Sequence, residues 1–250
     1  MIDVLVSGIG GKMGAKLCEA ISENVDAQVV CGVDINAPEL KIPVYSSFGD
    51  VKEHVDVIID FSSPTALHDE LEWAKTQHIP IVLATTGYSE DDLGYIKTCA
   101  EELAIFKAAN FSLGVNLLAK LIREAAEALG EKFDIEIIER HHRLKTDAPS
   151  GTALMLADSA NAAFESKKQY LYGRNYNIGR RDTEICIHAV RGGTIVGEHE
   201  VIFAGEDEII TLSHSARSKK VFAEGALKAA KWIKGKPAGL YDMANLLNNM

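Results

Sequence analysis

Short apolar runs alternate with amphipathic stretches through the first 110 residues. Continuous apolar runs of strand length predict buried strands at 2–6, 28–33, 55–61, 80–84 and 104–108. Between them, apolar positions at helical spacing predict helices, such as one over 64–77 with Ser63 as its cap and one that begins near Ser89. Strands and helices that alternate at this spacing predict an α/β fold, in which a doubly wound parallel sheet carries helices on both faces.

The pattern changes after about residue 110. Ser112 is placed to cap a helix to Leu129, a strand follows, and a further helix starts at Ser150. The strand covers 134–140, and three later extended runs cover 183–190, 197–204 and 208–214. Short glycine turns between those runs favour antiparallel pairing, which predicts a second domain of α+β type.

The domain limits follow from these patterns. A final amphipathic helix over 221–234 and the tail over 240–247 are expected to return to the first domain. We therefore expect a Rossmann-like domain over 1–110, completed by 218–250, and a second domain over 111–217. The stretch 167–181 shows no periodicity and is interpreted as an irregular loop.

Composition narrows the functional classes. The chain has 250 residues, 47% hydrophobic and 25% charged, with a formal net charge of −10, which argues against nucleic acid or an anionic membrane as partner. No apolar run approaches the ~18 residues of a spanning helix, and because a strand is predicted from residue 2, no signal peptide is expected. The scattered cysteines Cys18, Cys31, Cys99 and Cys186 predict neither a metal site nor disulfides, so a cytoplasmic location is expected.

A glycine turn joins the first predicted strand to the first helix. Gly8, Gly11 and Gly14 follow the pattern Gly-x-x-Gly-x-x-Gly. Backbone without Cβ atoms can approach a pyrophosphate at a helix N-terminus, so this turn predicts a dinucleotide site, although a lone glycine pattern can also be a simple tight turn. The candidate cofactor contacts in this turn are Gly8, Ile9, Gly10, Gly11, Lys12 and Met13.

Asp34 ends the second predicted strand about twenty residues beyond the glycines, where a carboxylate accepts hydrogen bonds from the adenosine ribose. Its charge would repel a 2′-phosphate and so favours NADH over NADPH. Lys12 could neutralise the same phosphate, so both cofactors stay open at this stage.

The stretch 139–152 collects two imidazoles, three cations and a Ser-Gly-Thr turn. His141 and His142 follow the end of a predicted strand, where histidine is suited to proton transfer near neutral pH. The amides of Gly151 and Thr152 would lie at the start of the helix that Ser150 caps, which favours a carboxylate. Together with Lys145, the stretch predicts an anion site with a proton donor.

The run His-His-x-x-Lys-x-Asp-x-Pro-Ser-Gly-Thr-Ala at 141–153 resembles the signature of the dihydrodipicolinate reductase family. Segments at 191–199 and 213–218 resemble that family too, so the resemblance covers nearly the whole chain. It implies an NADH- or NADPH-dependent reductase for a small cyclic dicarboxylate in lysine and diaminopimelate biosynthesis. It also implies a homotetramer built through the second domain, which would then serve substrate binding and oligomerisation.

The resemblance further implies roles for single residues. The substrate would be 4-hydroxy-tetrahydrodipicolinate or its dehydrated form, dihydrodipicolinate, and the sequence does not choose between them. Hydride would reach C4 of this cyclic, unsaturated dicarboxylate while His141 supplies the proton and Lys145 assists, although the sequence alone does not choose between His141 and His142. Four residues would hold a substrate carboxylate: His142, Ser150, Gly151 and Thr152. Loops after two strands would hold the nicotinamide and its ribose through Ala84, Thr85, Thr86, Ala108, Ala109, Asn110 and Phe111.

This sequence departs from the family pattern in the cofactor region. Ala84 stands where the family usually has glycine, so its contact is expected through the backbone, and Ile35 stands where some members carry an arginine. His199 and His214 are expected to have structural or interfacial roles.

Two other classes stay open. One is a different NAD-dependent enzyme of similar plan, such as an amino-acid or aspartate dehydrogenase that reduces an open-chain imine. The other is a non-catalytic NAD(H) sensor, which would need no paired histidines and lysine beside an anion site.

Overall fold

The structure, a computed structural model, describes residues 1–175, 179 and 182–249. The chain forms two compact units, one of Met1–Leu113 with Lys219–Met250 and one of Gly114–Ser218. The domain limits predicted from the sequence lie within three residues of these boundaries. The functions assigned to the two domains remain predictions.

The strands and helices are numbered in chain order. The strands are β1 (Ile2–Ser7), β2 (Ala27–Val33), β3 (Val44–Tyr45), β4 (Val57–Asp60), β5 (Ile81–Leu83), β6 (Ala104–Lys107), β7 (Asp134–His141), β8 (Gln169–Tyr172), β9 (Glu184–Arg191), β10 (Gly197–Ala204), β11 (Ile209–Ala216) and β12 (Gly239–Tyr241). The helices are α1 (Lys12–Ser22), α2 (Leu67–Gln77), α3 (Glu90–Cys99), α4 (Leu113–Leu129), α5 (Gly151–Asn161), α6 (Lys220–Ile233) and α7 (Met243–Asn248), with 3₁₀ turns at Phe48–Asp50, Pro64–Ala66 and Gly130–Lys132.

The first unit is built on a seven-stranded sheet in the order β12-β6-β5-β4-β1-β2-β3, and its strand pairings are parallel. Successive strand residues face opposite sides, so Ile59 packs with α1 and α6 while Ile58 packs with α2 and α3. Burial on both faces explains the continuous apolar runs of these strands. The predicted α/β, doubly wound Rossmann-like sheet is confirmed.

The second unit contains a five-stranded mixed sheet in the order β11-β10-β7-β9-β8. Helices α4 and α5 pack on one face of it, against the alternate buried residues of β7, β9 and β10. The central strand β7 alternates between half-buried and buried positions and ends at buried His141. The strand period therefore places Glu139 and His141 on the covered face.

Two sequence-based expectations for the second unit hold only in part. Glycine turns favoured antiparallel pairing of successive runs, and β10 does pair antiparallel with β11. However, β9 does not pair with β10, because β9 lies parallel to one edge of β7 and β10 antiparallel to the other. The connection from β7 to β9 contains α5, and such a long crossover allows parallel pairing. Within the stretch interpreted as an irregular loop, Gln169–Tyr172 forms an edge strand. The rest of that prediction at 176–178, 180 and 181 lies outside the described residues.

Within the described ranges, every helix falls short of the length and hydropathy that a membrane crossing requires.

Candidate functional site

The glycine turn after β1 has the geometry of a phosphate cradle. Gly8 adopts a left-handed φ of 74°, and its amide donates to the Val33 carbonyl at 2.8 Å. A Cβ atom on Gly14 would lie 2.3 Å from the Gly8 carbonyl oxygen, so the start of α1 needs glycine to pack this closely. The N-cap of α1 is Gly11, which has no side chain to occupy the first amides of the helix.

The residues of the glycine turn differ in their exposure to solvent. Lys12 opens α1 and is exposed, Gly10 and Gly11 are exposed, and Met13 is half-buried. Ile9 is 3% exposed because its side chain packs on Gly32, where a Cβ would come within 2.7 Å of it. A contact of Ile9 with a cofactor would therefore be made by its backbone.

Asp34 is held beside this turn by backbone amides. One carboxylate oxygen accepts from Gly10 at 3.0 Å and the other from Asn36 at 3.0 Å. Carboxylate oxygens have further lone pairs, so the group can still accept hydrogen bonds from a ribose. The turn and the acid at the end of β2 thus meet the requirements of a dinucleotide-binding unit.

A cavity of about 550 Å³ opens beside the turn and Asp34. Gly8, Gly11 and Asp34 line it, together with residues that the sequence analysis did not select, including Ile35, Phe61, Ser62, Phe48 and Trp73. Ile35 is 89% exposed, although it is apolar, which suits contact with a flat ring. The sequence predicted Ser63 as a helix cap and did not indicate that Ser62 and Ser63 line a cavity.

Buried Asp60 fixes the wall of the cavity formed by the segment after β4. Its carboxylate accepts hydrogen bonds from the amide of Ser62 at 2.7 Å, from the Ser62 hydroxyl at 2.5 Å and from the Tyr88 hydroxyl at 3.2 Å. Burial raises the pKa of Asp60, against the effect of these donors. The strand pattern placed this residue in a strand but gave no sign of its partners.

The remaining predicted cofactor residues follow β5 and β6. Ala84 is half-buried, Thr85 is 7% exposed and Thr86 is exposed. Strand order β6-β5-β4-β1-β2 places these ends along the carboxyl edge of the same sheet as the glycine turn. They are not among the residues lining the cavity beside Asp34. A dinucleotide that crosses such an edge would reach them with its second half.

The segment after β6 shows which of its atoms are accessible. Ala109 is exposed, Ala108 is half-buried, and the Asn110 side-chain oxygen accepts from the Ser112 amide at 2.8 Å. Phe111 is 3% exposed, with its ring 5.9 Å from that of Phe106. Its ring belongs to the core, so a cofactor contact of Phe111 would be made by its backbone.

His141, at the end of β7, makes a short hydrogen bond to a buried carboxylate. Its Nδ1 lies 2.6 Å from Oε2 of Glu139, which is fully buried. Arg191 on β9 donates to both oxygens of Glu139 at 2.7 Å, and the Ser150 amide donates to Oε1 at 3.0 Å. Burial lowers the pKa of His141, while Glu139 opposes this effect and Lys145 and Arg191 add to it.

Ser150 is the N-cap of α5, as predicted. Its hydroxyl accepts from the Ala153 amide at 3.2 Å and lies 3.1 Å from Nε2 of His199. Gly151 and Thr152 are the first two residues of α5, and a Cβ atom built on Gly151 would have no neighbour within 4 Å. The helix start therefore presents an open N-terminus beside the histidines, which is favourable for an anion.

His142 and Lys145 complete the basic turn. His142 is half-buried, and its Nδ1 is buried with no hydrogen-bond partner in the part of the chain that the structure describes. The Lys145 ammonium lies 2.8 Å from the Asp147 carboxylate. The structure thus places His199 in contact with both His141 and Ser150, and it pairs Lys145 with Asp147, a partner that the sequence did not indicate.

Glu139, Arg191 and the contact of His199 with Ser150 were not predicted from the sequence as parts of this cluster. The His199 ring stands edge-on to that of His141, with centroids 5.2 Å apart. Alternation of buried positions along β7 could have paired Glu139 with His141. The partners from β9 and β10 could not be predicted, because the sequence did not show that β7 lies between these two strands.

A second polar cluster lies on the other face of the same sheet. Ligand-type atoms of Glu136, Cys186 and His188 lie within 4.8 Å of one another. Arg174 pairs with Glu136 at 2.6 Å, and His188 Nε2 lies 2.8 Å from the same carboxylate. A guanidinium already compensates the carboxylate charge, so we interpret the group as an ion-pair network.

The first unit is a dinucleotide-binding unit, and the second contains an imidazole held by a carboxylate beside a basic helix start. This combination defines the class of NAD(P)-dependent oxidoreductases. The chain belongs to the dihydrodipicolinate reductase family, because the models "Dihydrodipicolinate reductase, N-terminus" and "Dihydrodipicolinate reductase, C-terminus" match residues 2–111 and 114–247.

Similar proteins agree along the whole chain. A 4-hydroxy-tetrahydrodipicolinate reductase from Caldanaerobacter subterraneus subsp. tengcongensis is 51% identical over 99% of this chain and 98% of that relative. One of the same name from Clostridium tetani is 42% identical over 100% and 98%. The structure of dipicolinate-bound dihydrodipicolinate reductase from Paenisporosarcina sp. TG-14 has a TM-score of 0.81 and 27% identity, over 97% of both chains.

The protein is therefore an NAD(P)H-dependent oxidoreductase, which sets aside a non-catalytic sensor. A dehydrogenase from Thermotoga maritima, with a TM-score of 0.65 but 12% identity over 98% of this chain and 92% of its own, shares the fold alone.

Proposed function

We propose that the protein reduces 4-hydroxy-tetrahydrodipicolinate to tetrahydrodipicolinate in lysine and diaminopimelate biosynthesis. The observation that carries this proposal is the cluster of His141, His142 and the open N-terminus of α5 within one basic turn. Such a cluster suits a substrate with carboxylates and a carbon that accepts a proton. Relatives of this name and the dipicolinate-bound structure of a relative support the same substrate class.

The 4-hydroxyl leaves as water, which gives the unsaturated dihydrodipicolinate ring, and a reduced nicotinamide bound by the glycine turn and Asp34 would then supply a hydride to C4 of that ring. In our proposal His141 delivers a proton from Nε2 to the adjacent carbon, and it is reprotonated from solvent after turnover. Binding of the anionic substrate adds negative charge near His141, which raises the pKa that burial and Lys145 lower in the free protein. Lys145 would exchange its ion pair with Asp147 for the negative charge that develops on the substrate.

One substrate carboxylate is assigned to the start of α5. The amides of Gly151 and Thr152, the hydroxyl of Ser150 and the His142 imidazole are the proposed donors. The unpartnered Nδ1 of His142 supports this assignment, because a buried ring nitrogen without a partner is costly in the absence of a ligand.

The test of this mechanism is the variant His141→Gln, assayed through the loss of NADH absorbance with freshly generated substrate. We expect kcat to fall about 10²- to 10⁴-fold while the KM for NADH stays nearly constant, because the proton donor is lost and the dinucleotide unit is intact. His54→Gln, which changes an exposed histidine, is the control and should keep wild-type kcat. An unchanged kcat in His141→Gln would remove His141 from the mechanism.

We further propose that NADH is preferred over NADPH. The cavity is lined by three acids, Asp34, Asp69 and Glu72, and none of its described lining residues is lysine or arginine. A 2′-phosphate placed there would meet negative charge without a compensating cation. Lys12 is exposed and is not among the lining residues.

Asp34→Ser tests this preference by the ratio of kcat/KM for NADH to that for NADPH. Removal of the charge should move the ratio toward NADPH by about tenfold, which corresponds to about 1.4 kcal/mol. Asp207→Ser, an exposed acid in the second unit, should leave the ratio unchanged. A wild-type enzyme that uses NADPH more efficiently than NADH would contradict the proposal.

The assembly and location belong to the same proposal. A homotetramer formed through the sheet of the second unit is the arrangement that the family resemblance implies. The four cysteines are free thiols, which supports work in a reducing cytoplasm.

A further inference from the structure

Glu139 is a charged group in an apolar environment, and each of its oxygens is used. The side chain is fully buried, yet it accepts hydrogen bonds from Arg191, His141 and the Ser150 amide. Burial alone would raise the pKa of Glu139, but hydrogen bonds from Arg191 and His141 outweigh it and hold that pKa below its usual value. The group is therefore a carboxylate near neutral pH.

The Arg191 guanidinium fixes the orientation of the Glu139 carboxylate. Two parallel N–H···O bonds of 2.7 Å define the plane and rotation of the Glu139 carboxylate. A third donation, from Arg191 to the Asp147 carbonyl at 2.6 Å, ties the same guanidinium to the turn after His141. The carboxylate thus has one orientation available when it meets the imidazole.

A carboxylate can only accept hydrogen bonds, so the proton between Glu139 and His141 belongs to Nδ1 of the imidazole. Neutral His141 then has its lone pair on Nε2, and the protonated ring has Nε2–H left to donate. Gly197 on β10 leaves space at this atom, since a Cβ there would lie 3.0 Å from Nε2. These contacts leave Nε2 as the nitrogen of His141 that can face a substrate.

We propose that Glu139, held by Arg191, is a positioning residue that keeps His141 in the Nδ1–H tautomer and makes Nε2 the atom that exchanges a proton with substrate. This inference rests on the proposed role of His141. The charged and titratable groups that face His141 are Glu139 and Lys145 from its own strand and turn, Arg191 from β9 and His199 from β10. Of these, Glu139 is the group that stabilises the protonated ring.

The first measurement needs no substrate. The ¹⁵N chemical shifts of the His141 ring in the wild-type full chain, assigned by comparison with His141→Gln, report which nitrogen carries the proton. We expect a protonated Nδ1 and an unprotonated Nε2 in the neutral ring. A neutral ring protonated at Nε2 would overturn the proposal, whatever the substrate of the enzyme is.

The second measurement is the kinetics of Glu139→Gln, which keeps the shape of the side chain and removes its charge. We expect kcat to fall about 10²-fold or more, an unchanged KM for NADH, and a shift of the kcat–pH limb that reports His141 to lower pH, because the group that raises its pKa is lost. Glu139→Asp, which keeps the charge at a shorter reach, should recover part of the activity. Wild-type kcat in Glu139→Gln would contradict the proposal.

The control is Glu127→Gln, which removes another carboxylate–arginine pair of the second unit, the Arg123–Glu127 pair on α4. It should change kcat less than twofold. If Glu139→Gln does not fold, the tautomer of His141 measured in the wild-type chain still tests whether Glu139 positions the ring. If the wild-type protein does not reduce the proposed substrate, the proposed function fails while the tautomer measurement stands, so the two failures are distinguishable.

Discussion

At the scale of single residues, His199 shows how a sheet changes the chemistry of an imidazole. It is 5% exposed, and burial together with the nearby His141 lowers its pKa to about 4. It is thus neutral near pH 7, and its Nε2 lies 3.1 Å from the Ser150 hydroxyl. The residue holds the cap of α5 in place without adding charge beside His141.

This lowered pKa predicts a pH dependence of stability. The unfolded state binds a proton below its ordinary pKa of 6.5 while folded His199 binds one only near 4, so stability is lost as pH falls through this window. At about 1.4 kcal/mol per pKa unit the loss approaches about 3 kcal/mol. Because glutamine does not titrate, the free energy of unfolding of His199→Gln, measured with denaturant, should depend less on pH there.

The exposed His54 offers the matched control, since His54→Gln should keep the wild-type dependence. Equal slopes for wild type and His199→Gln between pH 4 and 6.5 would contradict this prediction.

The sequence predicted some of these residue contacts and not others. The Ser150 cap could be predicted because it depends on a local pattern of serine before an apolar helix. The role of Arg191 could not, because it lies 52 positions from Glu139 along the chain and meets it only through the pairing of β7 with β9. The pairing of Lys145 with Asp147 could not be predicted either, because it depends on the path of the turn.

At the scale of elements, α6 shows how the last helix completes the first unit. Its amphipathic pattern predicted a return to that unit, and it packs there with α1 on one face of the seven-stranded sheet. At Gly225 it touches backbone, since a Cβ would lie 1.7 Å from the Phe111 carbonyl oxygen. The Phe106 ring fills the adjacent core between Phe111 and Trp232.

Gly225→Ala should therefore force α6 or the segment after β6 to move. We expect a loss of about 1–3 kcal/mol in the free energy of unfolding, as for other overpacked cores. The matched control is Gly94→Ala in α3, which is exposed and has no atom within 4 Å of the new Cβ. It should gain about 0.5–1 kcal/mol from helix propensity. The midpoint of thermal unfolding should fall for Gly225→Ala and rise for Gly94→Ala. Equal shifts of the two midpoints would show that the Phe111 contact is unimportant.

Element types were easier to predict than element neighbours. Strands of the first unit are buried on both faces and follow one another through helices, so continuous apolar runs indicated both their existence and their parallel pairing. In the second unit, β9 and β10 follow each other with a short glycine turn but lie on opposite sides of β7. A turn pattern reports only on residues that are close in sequence. The position of β7 between β10 and β9 depends instead on the long crossover from β7 to β9, which contains α5 and β8.

At the scale of the whole molecule, the sheet of the second unit has one face covered by α4 and α5 and a second face with accessible apolar residues. Val190 and Ile209 on that second face are 45% and 68% exposed, and half-buried Ile202 lies between their strands. Apolar surface of this kind on a sheet is typical of contact between subunits. The face agrees with the proposed tetramer, which the sequence implied through family resemblance rather than through its own pattern.

The tetramer predicts a mass of about 109 kDa in light scattering, four times the 27.2 kDa chain. Ile202→Arg places a charge in the middle of the second face, beside Glu136 and Thr211 on the neighbouring strands, where a monomer can hydrate it and an interface cannot. We therefore expect this variant to have a lower mass at the same concentration, while Glu101→Arg, an exposed change in the first unit, keeps the wild-type mass. If the Ile202→Arg variant is still a tetramer, the interface lies on another surface. If the wild-type protein is a monomer, the proposed tetramer is wrong.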